Sequence, residues 1–242
     1  MSSETQNSGT QKVEPHVGAI NTKLNWLRAG VLGANDGIVS IAGIVIGVAA
    51  AIGERGPIFT AGLAGLAAGA LSMAMGEYVS VSTQRDTERA LLDKERRELI
   101  EYPEAELKEL AGLYEKKGLS PQTAAQVAEE LTAHDAFAAH IDIELGIDPD
   151  ELTNPWHAAI SSAVSFTVGA LLPLLTILLL PTSIRIPVTF VAVLIALAIT
   201  GWVSARLGGA DPIRATRRVV IGGALAMAIT FAIGHLFGGV IA

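Results

Sequence analysis

Residues 58–101 read IFTAGLAGLAAGALSMAMGEYVSVSTQRDTERALLDKERRELIE. The first half of this stretch is apolar and rich in Ala and Gly, and the second half is charged. No Gly or Pro occurs between Gly76 and Tyr102, so nothing stops a helix that begins in the apolar half from running through the charged one. From Ile58 to Glu101 such a helix is roughly 65 Å long at 1.5 Å per residue, whereas a hydrocarbon core is about 30 Å thick. A single helix is therefore expected to cross a membrane and then project about as far again into water.

Four more apolar stretches are long enough to cross: Leu24–Ile52 before it, and Trp156–Leu180, Val188–Leu207 and Ile213–Ile241 after it. Pro57, Pro155 and Pro212 fall where a first-turn proline belongs, the last two behind Asn154 and Asp211 as N-caps. The reading is an all-α membrane protein of five transmembrane helices. Its divisions are a polar tail over 1–23, membrane helices 1 and 2 over 24–83, an acidic helical domain over 84–151, and membrane helices 3–5 over 152–242. Within the acidic domain, helices are expected over Glu104–Lys117 and Gln122–Leu145, ended by Gly118 and Gly146.

The composition agrees. Half of the 242 residues are hydrophobic, 17% are charged and the mean hydropathy is +0.46, more apolar than a soluble domain of this length. Residues 1–22 are polar and lack the apolar centre of a signal peptide, so the first apolar run is expected to be mature structure. Cysteine is absent, which excludes disulfides, thiolate metal ligands and cysteine nucleophiles. Between Gln84 and Glu151 there are 18 acidic and 8 basic residues, against 6 and 9 elsewhere, so the overall charge of −7 conceals a concentrated acidic block. The basic residues outside that block lie mostly at one set of helix ends, Arg206, Arg214, Arg217 and Arg218 among them, with Arg55 and Arg185 at the other. The positive-inside rule then puts the N-terminus and the acidic domain in the cytoplasm and the C-terminus outside. No Gly-rich phosphate loop, Ser-His-Asp set or basic aromatic patch is present, so nothing supports nucleotide-driven pumping or nucleic-acid binding.

Three places carry candidate chemistry. In the first helix GANDGIVS sets Asp36 between Gly33 and Gly37. An intramembrane carboxylate costs a few kcal/mol and is a functional candidate, although at the boundary it needs only a local hydrogen bond. In the second helix Met73 and Glu77 are four residues apart on one face. A thioether beside carboxylates is softer than the all-oxygen sites of Mg²⁺ or Ca²⁺ and suits Fe²⁺, Mn²⁺ or Co²⁺, yet a lone Met more often fills an apolar gap. In the acidic domain Glu95 and Glu98, then Glu106 and Glu109, form i, i+3 pairs on successive helices, and His140 and Glu144 form an i, i+4 pair on the third. These are the ingredients of helical iron and manganese sites; singly they are solvated charges paired with Arg96, Arg97 or Lys108. His16, His134, His157 and His235 have no partner at ligand spacing.

The run GANDGIVS, AGALSMAMGEYVS, a Glu-rich insertion closing with IELGI, then NPW and ALLPLL resembles the vacuolar iron transporter family over nearly all of the chain from Leu24 onward. The resemblance implies a five-helix homodimer with a pathway between subunits that exchanges protons for Fe²⁺ or related ions. It implies pathway roles for Asp36 and Met73 and cytoplasmic metal binding by Glu95, Glu98, Glu106, Glu109 and Glu144. Plant-type members carry a glutamate where Gly65 stands, and the family's methionine pair on the third cytoplasmic helix falls on His140 and Ile141. His140 in that place implies a harder site favouring Mn²⁺ or Fe²⁺.

The function expected is export of Fe²⁺ or Mn²⁺ from the cytosol by proton antiport, with no prosthetic group and the metal as cargo. The Ala- and Gly-rich composition with short loops suggests a bacterial plasma membrane. A membrane-tethered ferroxidase is the enzyme alternative, weakened because ferritin-like sites want Glu-x-x-His from each of two helices and this chain has Glu-x-x-Glu. A metal-binding sensor or scaffold is the third reading, and it leaves Asp36 without a purpose.

Overall fold

The computed structural model describes residues 17–149 and 152–241, and these are helical with short connections. The helices are α1 (Val17–Ala51), α2 (Arg55–Glu101), α3 (Pro103–Lys116), α4 (Pro121–His140), α5 (Pro155–Leu179), α6 (Arg185–Leu207) and α7 (Pro212–Ile241). Among them α1, α2, α5, α6 and α7 are long and apolar enough to cross a membrane, and the chain is a multi-pass membrane protein. The polar tail expected over 1–23 lies outside the described residues as far as residue 16; from Val17 the chain is already helical, seven residues before the apolar run at Leu24. Asp150 and Glu151 of the acidic block also lie outside them.

Helix starts follow local chemistry. Asn154 Oδ1 accepts from the Trp156 N–H at 2.9 Å, and Asp211 Oδ1 accepts from Ile213 at 2.9 Å and Arg214 at 3.3 Å, each ahead of a first-turn proline. Ser120 does the same for Thr123 at 3.3 Å. α2 is continuous for 47 residues, about 70 Å by its rise per residue. It ends at Tyr102, whose backbone is no longer helical, and Pro103 opens α3 at once.

α1 and α5 form the centre. One apolar cluster joins Ile41 and Val45 of α1, Ile58 of α2, and Phe166, Leu174 and Ile177 of α5. A second joins Ile38, Ala42 and Ile46 of α1 to Val193 and Leu197 of α6 and Met227 of α7. Lipid tails are as apolar as these side chains, so association rests on close packing. Gly33 and Gly37 supply it: a Cβ on Gly33 would stand 2.7 Å from the Ser162 carbonyl oxygen, and one on Gly37 would collide with that of Phe166. The rising pairs 33 to 162 and 37 to 166 make α1 and α5 parallel. Gly201 opposite Thr216 and Gly223 opposite Leu197 make α6 and α7 antiparallel. Helix starts at 155 and 212 therefore share one membrane end with the start of α1 and the projecting half of α2.

At the opposite end two arginines tie connections together. Arg185 is fully buried and donates to the Gly53 carbonyl at 2.9 Å. Arg55 donates to the Leu180 carbonyl at 3.2 Å, so each guanidinium meets the negative C-terminal end of a neighbouring helix.

α3 and α4 pair with each other and with the charged half of α2, and among the described residues with no other membrane helix. Arg96 of α2 holds α4 by lying 4.4 Å from the Phe137 ring centroid, while its Nη1 reaches Asp93 at 3.0 Å. The third helix expected over Gln122–Leu145 is not one regular helix. Asp135 leaves helical geometry at φ −160° and ψ 96°, and its side chain caps the next segment through the Ala138 N–H at 2.9 Å. Beyond His140 the chain widens into a π-helical turn, Ile141–Leu145, that stops at Gly146 with φ +60°.

Candidate metal site and membrane pathway

The kink at Asp135 and the π-helical turn together decide where the third acidic helix aims its polar groups. His140 ends the regular part and is completely buried against α2 and α3. Its Nδ1 lies 2.9 Å from Glu95 Oε1 on α2, 3.7 Å from Glu106 Oε2 on α3 and 3.7 Å from Glu144 Oε2 on the π turn. Glu95 is 3% exposed and Glu106 7%, so a carboxylate from each of two helices is withdrawn from water beside the imidazole. Ligand atoms of Glu95, His140 and Glu144 fall within 4.8 Å of one another.

The short approach of His140 to Glu95 is not an aligned hydrogen bond. Glu95 Oε1 and both ring nitrogens of His140 are buried without a hydrogen-bond partner. Buried polar atoms left in that state are costly, and lone pairs converging on one point are what a cation satisfies. Burial raises the carboxyl pKa of Glu95 above its ordinary value, followed by the Glu144 charge. Burial also raises that of Glu106, followed by Glu109.

Glu98 and Glu109 stand outside this core. Glu98 Oε2 is held by Lys94 Nζ at 2.7 Å, and Glu109 is exposed. Both add negative charge to the cluster. Of the six acidic-domain residues singled out from the sequence, the fold thus brings four together and leaves two at the rim. Arg96 pairs with Asp93 and not with the cluster. Among the other histidines, His235 stacks on Phe231, His134 and His157 are exposed, and His16 lies outside the described residues.

In the membrane half, the two glycines, Asn35 and Asp36 of GANDG have distinct tasks. Gly33 and Gly37 seat α5, Asn35 Oδ1 accepts from the Thr200 hydroxyl of α6 at 2.6 Å, and Asp36 Oδ1 accepts from Ser40 Oγ at 2.8 Å. The two glycines are thus spent on packing inside one subunit. Asp36 remains half-buried. Phe166 fixes the level of α2: its backbone meets Gly37 and its ring meets Gly69. Met73 lies one turn from Gly69 and packs against the same cluster as Phe166, so Asp36 and Met73 flank one level of the bundle. Glu77 is a further turn toward the acidic end. Its neighbour Tyr78 meets Trp156 at a ring separation of 4.8 Å, which sets Glu77 level with the first turn of α5, at the membrane boundary. Gly65 leaves no room for a longer side chain without displacement, since a Cβ there would stand 2.7 Å from Ile44 Cδ1.

Comparison with known proteins agrees with these motifs. A sequence profile of the VIT family matches residues 27–235. The vacuolar iron transporter of Acanthamoeba castellanii is 46% identical over 230 residues, covering 92% of this chain and 82% of its own. Vacuolar iron transporter homolog 1 of Oryza sativa subsp. japonica is 37% identical over 91% of this chain and 78% of its own. Vacuolar iron transporter homolog 2.1 of Arabidopsis thaliana is 34% identical over 98% and 94%. With a match across most of its length and relatives this similar, the chain belongs to the VIT family.

Proposed function

We propose that this protein exports a divalent transition metal, Fe²⁺ or Mn²⁺, from the cytosol in exchange for protons. The observation that carries the reading is the cluster of buried Glu95, Glu106 and His140 with exposed Glu144 at its edge, in which unsatisfied atoms of Glu95 and His140 meet at one end of a helix that runs unbroken to Glu77 and Met73. One imidazole among carboxylates is a borderline donor set that suits Fe²⁺ and Mn²⁺. The relatives named as vacuolar iron transporters support iron as cargo. The acidic helices would collect metal, and Asp36 with Met73 would pass it through the bilayer.

The excess of Lys and Arg at the membrane end that bears the acidic helices supports a cytosolic position for them, with the C-terminus outside. The Ala- and Gly-rich, short-loop composition supports the plasma membrane of a bacterial cell. A homodimer is part of the proposal: one subunit offers only Asp36 and Met73 as pathway ligands, and a two-fold axis would double them. The apolar half of α2 buries least of the five spans within one chain, which leaves that face for a second copy or lipid.

Transport into proteoliposomes across Fe²⁺, Mn²⁺, Co²⁺, Zn²⁺ and Ca²⁺, with and without a pH gradient, tests the reading. Flux of Fe²⁺ or Mn²⁺ that responds to the gradient is expected. No metal flux under any gradient overturns it.

A further inference from the structure

The first two turns of α7 carry three arginines that the metal reading does not use. Arg214, Arg217 and Arg218, continued by Ile221, Gly222 and Leu225, follow helical spacing along one face of α7. Together they line an open groove of about 780 Å³. Arg214 Nε is engaged by Asp211 Oδ2 at 3.1 Å. Arg217 and Arg218 are exposed and make no ion pair or hydrogen bond among the described residues. The groove is thus cationic at the helix start and apolar one turn further in. Gly222 keeps it open, for a Cβ built there meets nothing within 4 Å.

Its depth in the bilayer follows from the neighbouring helix. Gly201 of α6 sits against Thr216, so in this antiparallel pair Trp202 stands level with Ala215, between Arg214 and Arg217. Trp202 is half exposed and carries Arg206 at 5.0 Å from its ring centroid. An exposed Trp beside an Arg belongs at the headgroup layer. Length allows that depth: α7 has 30 residues and a hydrocarbon core needs about 20, which leaves enough helix for the arginine turns to lie outside the core.

We propose that this groove seats an anionic phospholipid, its phosphate between Arg217 and Arg218 and one acyl chain over Ile221, Gly222 and Leu225. Guanidinium groups suit phosphate because their planar donors match its oxygens. The change from cationic to apolar within one groove, oriented along the membrane normal, is what distinguishes a phospholipid from a soluble anion or an acidic protein surface. The topological role of basic residues explains their side of the membrane, but it does not call for an open notch beneath them.

The test uses the full-length protein in nanodiscs and detergent. Wild type, Arg217→Gln/Arg218→Gln and Gly222→Leu are each titrated with dioleoylphosphatidylglycerol, dioleoylphosphatidylcholine and inorganic phosphate, read by native mass spectrometry of retained lipid. Wild type should retain the glycerol lipid in preference to the choline lipid, and inorganic phosphate should not compete. The double variant should lose that preference, by about thirtyfold if each arginine contributes the usual increment at an anionic surface. Gly222→Leu keeps every charge, and with it the topology signal, while filling the notch; it should lose retention of both lipids at this site. Equal retention by all three proteins overturns the proposal. So does competition by inorganic phosphate, which would make the site one for free anions, or a change of oligomeric state without a change in lipid retention, which would make it a contact between copies.

Discussion

Burial withdraws the Glu95 and Glu106 carboxylates from water, and neighbouring glutamates add negative charge, so both hold protons above the ordinary glutamate value of 4.5. A carboxyl whose folded pKa is raised binds more protons folded than unfolded just above that value. Its contribution to stability is therefore present at low pH and lost as pH rises through the raised pKa. Metal reverses the sign, because a cation replaces the protons. Without metal, thermal unfolding of the purified protein followed by circular dichroism should show stability falling as pH rises above about 4.5; Mn²⁺ should restore it, with affinity increasing over the same range. A metal-free stability that rises with pH there would contradict the burial of these groups. At the residue scale the glycines of GANDG also separate packing from chemistry. Gly37→Ala drives a methyl into the Phe166 carbonyl and should destabilise by about 1–3 kcal/mol. Gly76→Ala meets nothing within 4 Å and should gain up to about 1 kcal/mol of helix propensity. Thermal melts of the two variants in one detergent check the contrast, and equal shifts would mean that α1 and α5 do not pack as closely as described.

Continuity is the property of α2 that matters for its function, because it fixes Glu95 rigidly to the helix that carries Met73 and Glu77. It was legible in the sequence: an uninterrupted run from Gly76 to Tyr102 leaves a helix no place to end, and Tyr102-Pro103 supplies the stop. The caps at Asn154 and Asp211 were legible for the same local reason. The third acidic helix was not. A kink at Asp135 arises because its carboxylate offers the Ala138 N–H an alternative partner, and Asp is common enough on helix surfaces that the residue alone gives no warning. The π-helical turn likewise leaves no composition signal, yet it helps decide which of six candidate ligands converge. Spacing treated Glu95 with Glu98, and Glu106 with Glu109, as equals; only the packing of α3 on α2 separates buried from exposed members. That separation predicts unequal mutants. Glu95→Ala with Glu106→Ala should remove most metal binding and slow transport at low metal while leaving flux at saturating metal. Glu98→Ala with Glu109→Ala should weaken binding by about tenfold, as loss of an outer partner does. Isothermal titration with Mn²⁺ and proteoliposome flux over a range of concentrations measure both, and loss of all flux at saturating metal in a folded protein would make the acidic helices an obligatory part of the route.

For the molecule as a whole, the proposed function requires that a metal held among carboxylates at one end be exchanged for protons across the membrane. The sequence pointed to two titratable groups near the spans, Asp36 and Glu77, and Gly65, packed against Ile44 and Ile41, adds none. The structure separates their levels. Asp36 precedes Gly37, which meets Phe166, and Met73 packs on the cluster that contains Phe166, whereas Glu77 lies level with the Tyr78–Trp156 contact at the boundary. On the proposed route a divalent ion leaving the acidic cluster along α2 would meet Glu77 first, then Met73 and Asp36. A carboxylate that yields its proton to an arriving cation and regains one after the cation has left couples the two movements with no dedicated relay. On that route Asp36, deeper in the bundle, would be the group each ion meets, so Asp36→Asn should abolish both flux and its response to a pH gradient. Glu77, at the mouth of that route, would set how readily a proton from the aqueous side competes with an arriving ion. Glu77→Gln should therefore flatten the dependence of flux on the gradient by more than it lowers metal binding. The measurement is Mn²⁺ uptake into proteoliposomes at several imposed gradients, with binding to the same variant by titration. If Glu77→Gln keeps the full gradient dependence, Glu77 is an interfacial charge and the exchange rests on Asp36 alone.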